Sequence, residues 1–425
     1  MGEVAGRLVP LLGYGLMIGL LVLLSSDRRK IRWSILGWGA VLQLGLAAIM
    51  LLTPVGGRFF AGVNGLVLDL LAFTNEGTRF LLGEFGTGDI ARPLHCFAFL
   101  VLPTIVFFSA LMAVLYHLHV MEWVISGMAW VLRKTLRISA AEAMNAAANV
   151  FVGHTEAPLV IRPYLERLTP SELMAVMVSG FATMAGGVIV AYSVMLSPHL
   201  ADVAGHLLAA SLMNAPASLV VAKILFPETG VPETLDGARA DRGERDANVV
   251  GAAARGAAEG AVLFINVAAM LLAFIALVAL VNALVSGGLS LVGVERYGAD
   301  GRPDALQWAG GWLFSPLAWL CGVQWDAAPE VGRLLAQKLI LNEFVAYGDL
   351  SALLRGGPVL SARDATIAVY ALCGFANISS IAIQVGGIGS LAPGQKGNLV
   401  RFGLKAMVGG FLASCLSACA AALFL

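Results

Sequence analysis

The chain has 425 residues, 59% hydrophobic and 13% charged, with 27 Lys and Arg balancing 27 Asp and Glu and a mean hydropathy of +0.84. Soluble domains run at about 45–50% apolar and about 25% charged, so the composition excludes that class and predicts an all-α polytopic membrane protein. The zero net charge gives no support for nucleic-acid binding, and Cys96, Cys321, Cys373, Cys415 and Cys419 show neither metal-ligand spacing nor a disulfide framework.

A membrane-spanning helix takes about 20 apolar residues. The first candidate, about 8–26, precedes Arg28-Arg29-Lys30. A signal peptide carries its positive charge ahead of the apolar run, so this run reads as a first transmembrane helix with its N-terminus outside. A second span follows at about 34–53. Residues 57–86 are apolar but interrupted by Arg58, Asn64, Asp69, Asn75, Glu76 and Arg79, which predicts an interfacial helix. Further spans are expected at about 95–119, 170–196, 203–226, 256–285, 362–388 and 403–425, eight in all. The intervening cytoplasmic segments would be 27–33, 120–138, 227–255 and 389–402, each carrying Lys or Arg, as the positive-inside rule requires. Arg333, Lys338, Arg355 and Arg363 would lie outside and run against it. Both termini are then expected outside.

Two regions, about 139–168 and 329–355, are too polar and interrupted for full spans but long enough for two half-helices meeting at a tip. The first runs Ala140 to Asn149, Phe151-Val152-Gly153, then Glu156 to Leu168; the second runs Glu330 to Leu341, Asn342-Glu343, then Phe344 to Leu354. Both read as re-entrant hairpins. Gly153 suits a tip needing unusual backbone angles, and Pro158 suits a first helical turn. Each hairpin is followed by a capped helix, at Thr169-Pro170-Ser171-Glu172 and Ser361-Ala362-Arg363-Asp364. Deep in those helices come two similar strings, Gly180-Phe181-Ala182-Thr183-Met184 and Gly374-Phe375-Ala376-Asn377-Ile378. An odd number of spans separates the hairpins, so the repeats are inverted. Inverted repeats with broken helices are the signature of secondary transporters.

The organisation expected is therefore 1–94 as N-terminal helices and interfacial helix, 95–226 as the first repeat with broken span four, 227–255 as a polar cytoplasmic linker, and 256–425 as the second repeat with broken span seven.

Ionisable groups at membrane depth mark solute or ion pathways, which points to Glu156 and Glu343. Glu142, Glu166 and Glu172 fall toward hairpin bases or caps. Asn149 and Val152 end the first half-helix of hairpin one; an amide oxygen with unwound carbonyls is hard-oxygen chemistry suited to Na⁺, and Thr183 and Met184 complete the set. Asn377, Ser379 and Ser380 form a polar patch in the seventh span. His154, beside polar residues at a tip, is expected to face the cavity. No Gly-x-Ser-x-Gly elbow or His-Glu-x-x-His site appears, which argues against a membrane enzyme.

Gly153-x-Thr155-Glu156-Ala157-Pro158-Leu159, Asn342-Glu343-Phe344-Val345-Ala346-Tyr347 and Gly374-Phe375-Ala376-Asn377-x-Ser379-Ser380-Ile381 together resemble the concentrative nucleoside transporters, with a likeness over nearly the whole chain. The resemblance implies a homotrimeric, multi-pass symporter of the bacterial inner membrane that imports nucleosides with Na⁺. It implies nucleobase contacts from His154, Thr155, Glu156 and Val188, ribose contacts from Glu343, Asn377, Ser380 and Phe375, and a Na⁺ site of Asn149, Val152, Thr183 and Met184. The departure is His154, where family members commonly carry Gln; the two side chains offer donors and acceptors in different geometry. Thr183 in place of a smaller Ser is conservative for an oxygen ligand. The alternative is an H⁺-coupled carrier of nucleosides or nucleobase-like solutes, with Glu156 or His154 as the proton site.

Overall fold

The computed structural model describes residues 3–83, 102–235, 237–238, 246–291, 293, 305–357 and 359–425. Cys96, the start of the expected third span, and Arg239, Arg242 and Arg245 of the linker lie outside them. Among the described residues all regular structure is helical.

The chain opens with α1 (Glu3–Leu23) and α2 (Trp33–Leu52), joined through a short 3₁₀ turn that Asp27 caps by accepting from the Arg29 N–H. Thr53 alone separates α2 from α3 (Pro54–Leu82). Residue 54, being Pro, lacks an N–H and fits a first helical turn. The interrupted stretch forms one continuous helix, apolar and long enough to cross a membrane by length and composition. Its Arg58, Asp69, Glu76 and Arg79 are nevertheless all exposed, and its buried positions form a narrow stripe through Gly56, Phe60, Val67 and Thr74. Large apolar side chains, among them Leu66, Phe73 and Phe80, are exposed on the same helix.

Next, α4 (Leu102–His117) and α5 (Val120–Leu136) meet at an angle of 78°. His119, at φ 62°, makes the corner. After them come α6 (Ala140–Asn149), α7 (Ala157–Val160), α8 (Pro170–Ala182), α9 (Gly186–Leu196) and α10 (Val203–Leu225). The second half follows the same plan after the long α11 (Val249–Ser290): α12 (Ala305–Leu320), α13 (Ala328–Ile340), α14 (Glu343–Arg355), α15 (Ala362–Leu372), α16 (Ile378–Leu391) and α17 (Lys396–Ala422). Six of the described helices are long and apolar enough to cross a membrane, or seven with the bent α4–α5 pair taken as one.

Helix starts follow the sequence closely. Thr169 and Glu172 form a reciprocal capping box, and so do Ser139 and Glu142, which assigns both glutamates to caps. Ser361 accepts from the Asp364 N–H at 3.0 Å. Each helix–break–helix unit is thus anchored at its base and interrupted at its tip.

Burial separates two kinds of helix. In the most apolar stretch of α10, 89% of residues are buried, against none in α11. Chain buried on every side around α8, α10 and α17 is rich in Ala, Gly and Ser, small residues that let helices approach closely without relying on a hydrophobic driving force. On α11, by contrast, Val262, Ile265, Leu272 and Leu284 are exposed. In a water-soluble chain such a face would have to be covered; on a membrane helix it meets lipid or another subunit.

Candidate functional site

Both apolar helices that follow the hairpin-like units are broken. The first stops at Ala182 and restarts at Gly186; the second stops at Leu372 and restarts at Ile378. The two breaks touch. A Cβ on Gly374 would lie 2.5 Å from the Ala182 carbonyl oxygen and 2.6 Å from that of Phe181, and Gly374 sits at φ +99°. Only glycine satisfies both the close approach and the left-handed backbone.

The two similar strings are not in structural register. The caps of the two units correspond when Ser361 is laid on Thr169 and Asn377 on Ala185, the residues that cap the first and second half-helices of each. That register sets Gly374 against Ala182 rather than Gly180, and Ala371 against Ser179.

The tip of the first unit is tied to the first break. Gly186 N–H donates to the Phe151 carbonyl at 2.7 Å, and Gly153 adopts φ +88°. Ser179 is the hub beneath it. Its hydroxyl oxygen accepts from the amides of Asn145 (2.9 Å) and Asn149 (3.2 Å), and its carbonyl accepts from the Thr183 hydroxyl at 2.8 Å. Asn149 and Thr183 are wholly buried. Among the described residues, the Asn145 and Asn149 side-chain oxygens are buried with no donor, and the Val152 and Met184 carbonyls accept no backbone N–H outside regular helix. An unmet buried acceptor costs about 1–3 kcal/mol, so oxygens gathered without donors at a half-helix end fit a hard cation.

The second unit supplies a carboxylate. Asn342 caps α14 by accepting from the Val345 N–H, and Glu343 is its first residue. Glu343 is buried; one oxygen accepts from the Tyr192 hydroxyl at 3.0 Å and the other from the Asn377 amide at 3.2 Å. Asn377 caps the second half of the broken helix, accepting from the Ser380 N–H at 2.8 Å and the Ser379 hydroxyl at 2.7 Å. Tyr192 comes from α9 and stacks on Tyr347 at 4.3 Å between ring centroids. Glu343 therefore joins α14, α9 and α16.

His154 bridges the halves. Its ring meets that of Phe375 edge-on at 4.9 Å, and both of its nitrogens are buried without a partner among the described residues. A Cβ on Gly180 would lie 2.8 Å from the His154 Cβ and 2.7 Å from the Gln384 amide nitrogen, so glycine there lets α8, the tip and α16 converge. Gln384 donates to the Met177 carbonyl at 3.3 Å and leaves its own oxygen unmet. Thr155 and Glu156 are exposed at the tip, and their side chains make no hydrogen bond among the described residues. Val188 and Met184 are buried. The expected residues thus form two clusters linked by His154 and Phe375, with Thr155 and Glu156 standing free at the tip.

Residues 12–85 match the N-terminal region and residues 206–422 the C-terminal region of the family described as Na⁺ dependent nucleoside transporter, and residues 98–198 match a nucleoside recognition region. The chain belongs to the concentrative nucleoside transporter family. This is a family of transporters, not enzymes. Its relatives include an uncharacterized transporter of Haemophilus influenzae, 42% identical over 98% of both chains. The nucleoside permease NupC of Helicobacter pylori is 38% identical over 94% of both chains. The solute carrier family 28 member 3 of Homo sapiens is 37% identical, spanning 98% of this chain and 59% of the longer human one. Among solved structures, the transporter CNTnw in an inward-facing substrate-bound state aligns with a TM-score of 0.88 at 41% identity, covering 99% of this chain and 98% of that one. A variant of it in an outward-facing state aligns with a TM-score of 0.90, again at 41% identity and over 99% and 98% of the two chains.

Several residues of the candidate site were not singled out from the sequence. Asn145 lies one helical turn before Asn149, and Ser179 one turn before Thr183, the spacing that puts side chains on one face. Tyr192 lies one turn beyond Val188, and Gln384 one turn beyond Ser380. Lys338, in the first arm of the second hairpin-like unit, is wholly buried beside the second break.

Proposed function

We propose that this protein is a Na⁺-coupled nucleoside symporter working by alternating access. The observation that carries the reading is the contact between two helix breaks with complementary chemistry. One is lined with donorless oxygens around Asn149, and the other presents the Glu343 carboxylate.

In this reading Asn149 and Thr183 side chains and the Val152 and Met184 carbonyls hold Na⁺ as a co-transported substrate. Glu343, with Asn377 and Ser380, takes the ribose hydroxyls, and Phe375 packs against the sugar. A carboxylate accepting from hydroxyls makes charge-assisted bonds of about twice the neutral strength. His154, Thr155, Glu156 and Val188 form the nucleobase side. Neutral His154 offers one donor and one acceptor to a base edge, and both of its nitrogens are free for that role.

The coupling follows from the linkage. Residues of the tip and of the first break bind the cation, and the same tip carries the base-side residues, so ion and nucleoside stabilise one arrangement. Binding of each then raises the affinity of the other by the same factor. We further propose two inverted repeats with re-entrant tips, both termini outside, residence in a bacterial inner membrane, and a homotrimer that uses part of the exposed apolar face. The family's Na⁺ dependence favours Na⁺ over H⁺.

Equilibrium binding of uridine to the purified protein, titrated at stepped Na⁺ with choline holding the ionic strength, tests the linkage. Affinity is expected to rise with Na⁺ and not with K⁺. Affinity independent of Na⁺ overturns the reading.

A further inference from the structure

Lys338 is a buried cation with no ion-pair partner among the described residues. It lies on α13, the first arm of the second helix–break–helix unit, and is wholly buried. Its ammonium donates to the carbonyls of Ala371 at 3.0 Å and Cys373 at 2.7 Å, and lies 5.5 Å over the Phe411 ring. Among the described residues no carboxylate lies within ion-pair distance of it. Glu343, the nearest acid along the arm, is bonded to Tyr192 and Asn377 instead. The other buried lysine, Lys223, shows the usual solution: it pairs with Glu142 and Glu228. An unpaired ammonium in a membrane core is costly and rarely idle.

What surrounds Lys338 is a cation site. Ala371 and Cys373 end α15, where the half-helix leaves its last carbonyls without intrahelical donors and carries the negative end of its dipole. In the register set by the caps, Ala371 corresponds to Ser179, the hub of the Asn145, Asn149 and Thr183 cluster. So in both repeats the break of the split helix is tied to the first arm of its own unit, through the Ser179 hydroxyl in the first and through the Ala371 and Cys373 carbonyls in the second. In the first repeat that arm offers two asparagine oxygens without donors; in the second it offers an ammonium.

We infer that Lys338 is the second repeat's resident cation, holding the carbonyls at the second break as a bound Na⁺ holds the Val152 and Met184 carbonyls at the first. The tethered charge makes hairpin two independent of ions, so that Glu343 and Asn377 are assembled without Na⁺ and coupling is confined to one site per protomer. The inference rests on the Na⁺-coupled reading above.

The test is uridine binding to purified full-length protein across a Na⁺ series at constant ionic strength, comparing wild type, Lys338→Met and Lys338→Arg. Wild type is expected to show a Hill slope for Na⁺ of about 1, one ion per site. Met leaves the Ala371 carbonyl bare and the Cys373 carbonyl with only the Ser414 hydroxyl, so a second Na⁺ is needed: the slope rises toward about 2, and half-saturation moves to at least about tenfold higher Na⁺. Arg keeps the charge, and its slope stays at about 1 whatever affinity its bulk removes. The slope, rather than the affinity, separates this role from packing alone. A monodisperse Lys338→Met protein with the wild-type slope and half-saturation, or with no binding up to about 1 M Na⁺, overturns the inference. Should the Met variant not fold, a slope above that of wild type in Lys338→Arg overturns it. Na⁺-independent binding by wild type removes the coupled reading itself, a result distinct from any change confined to the variants.

Discussion

Replacing Glu343 with Gln tests the ribose assignment most sharply, because the surroundings dictate how the amide must sit. The carboxylate accepts one hydrogen bond on each oxygen, from Tyr192 and from Asn377. It has about four acceptor positions, so about two remain for sugar hydroxyls. In the variant, the amide oxygen must face Asn377, whose own oxygen is committed to capping Ser380. The new NH₂ must face Tyr192, whose hydroxyl can turn and accept. The protein side is thereby satisfied, and removing a buried charge leaves folding intact, with a melting temperature within a few degrees of wild type. The ligand side is not. A hydrogen bond to a charged group contributes about 1.5–3 kcal/mol and a neutral one about 0.5–1.5, so two hydroxyls lose about 2–3 kcal/mol together. At about 1.4 kcal/mol per tenfold, uridine affinity falls by about 30–150-fold. The assay is calorimetric titration at saturating Na⁺ with uridine and with 2′,3′-dideoxyuridine, which lacks the hydroxyls. The dideoxy compound binds wild type weakly and should change less than about threefold between the two proteins. Equal losses for both ligands, or no loss for either, refute the reasoning.

Asn149→Ala is expected to raise the Na⁺ required for half-maximal uridine binding by at least about tenfold, since it deletes a donorless oxygen; an unchanged Na⁺ titration removes Asn149 from the ion site. His154→Gln should alter the ranking of uridine, cytidine, adenosine and inosine in competition binding more than it alters the best affinity, and an identical ranking means the side chain does not read the base. Gly374→Ala combines a φ of +99° with a Cβ 2.5 Å from a carbonyl oxygen, so it should destabilise by about 3 kcal/mol or more. A melting temperature equal to wild type would show that the two breaks are not held in contact.

The sequence conveyed the local elements well because local physics sets them. Capping residues at Thr169 and Ser361, prolines in first turns, and polar interruptions at Gly153 and Asn342-Glu343 appear as helix starts and breaks at those residues. What it conveyed poorly depends on packing between distant segments. The two Gly-Phe-Ala strings suggested one alignment of the breaks, but the caps fix another, because Gly374 is needed where it meets the first break. Lys338 read only as a charge running against the positive-inside pattern, since a single lysine in an amphipathic arm cannot reveal that carbonyls more than thirty residues away enclose it. The default reading of intramembrane charges, applied to Glu156 and Glu343, applies equally to it. Tyr192 and Gln384 carry no motif of their own; only the approach of α9 and α16 to the tips makes them part of the site.

Uptake of labelled uridine into proteoliposomes, with and without an inward Na⁺ gradient at constant pH, tests the central claim most directly. The account predicts saturable accumulation above the external concentration only when the Na⁺ gradient is present, abolished by dissipating that gradient. Accumulation driven by a pH gradient with no Na⁺, or no uridine uptake under either gradient, would contradict it.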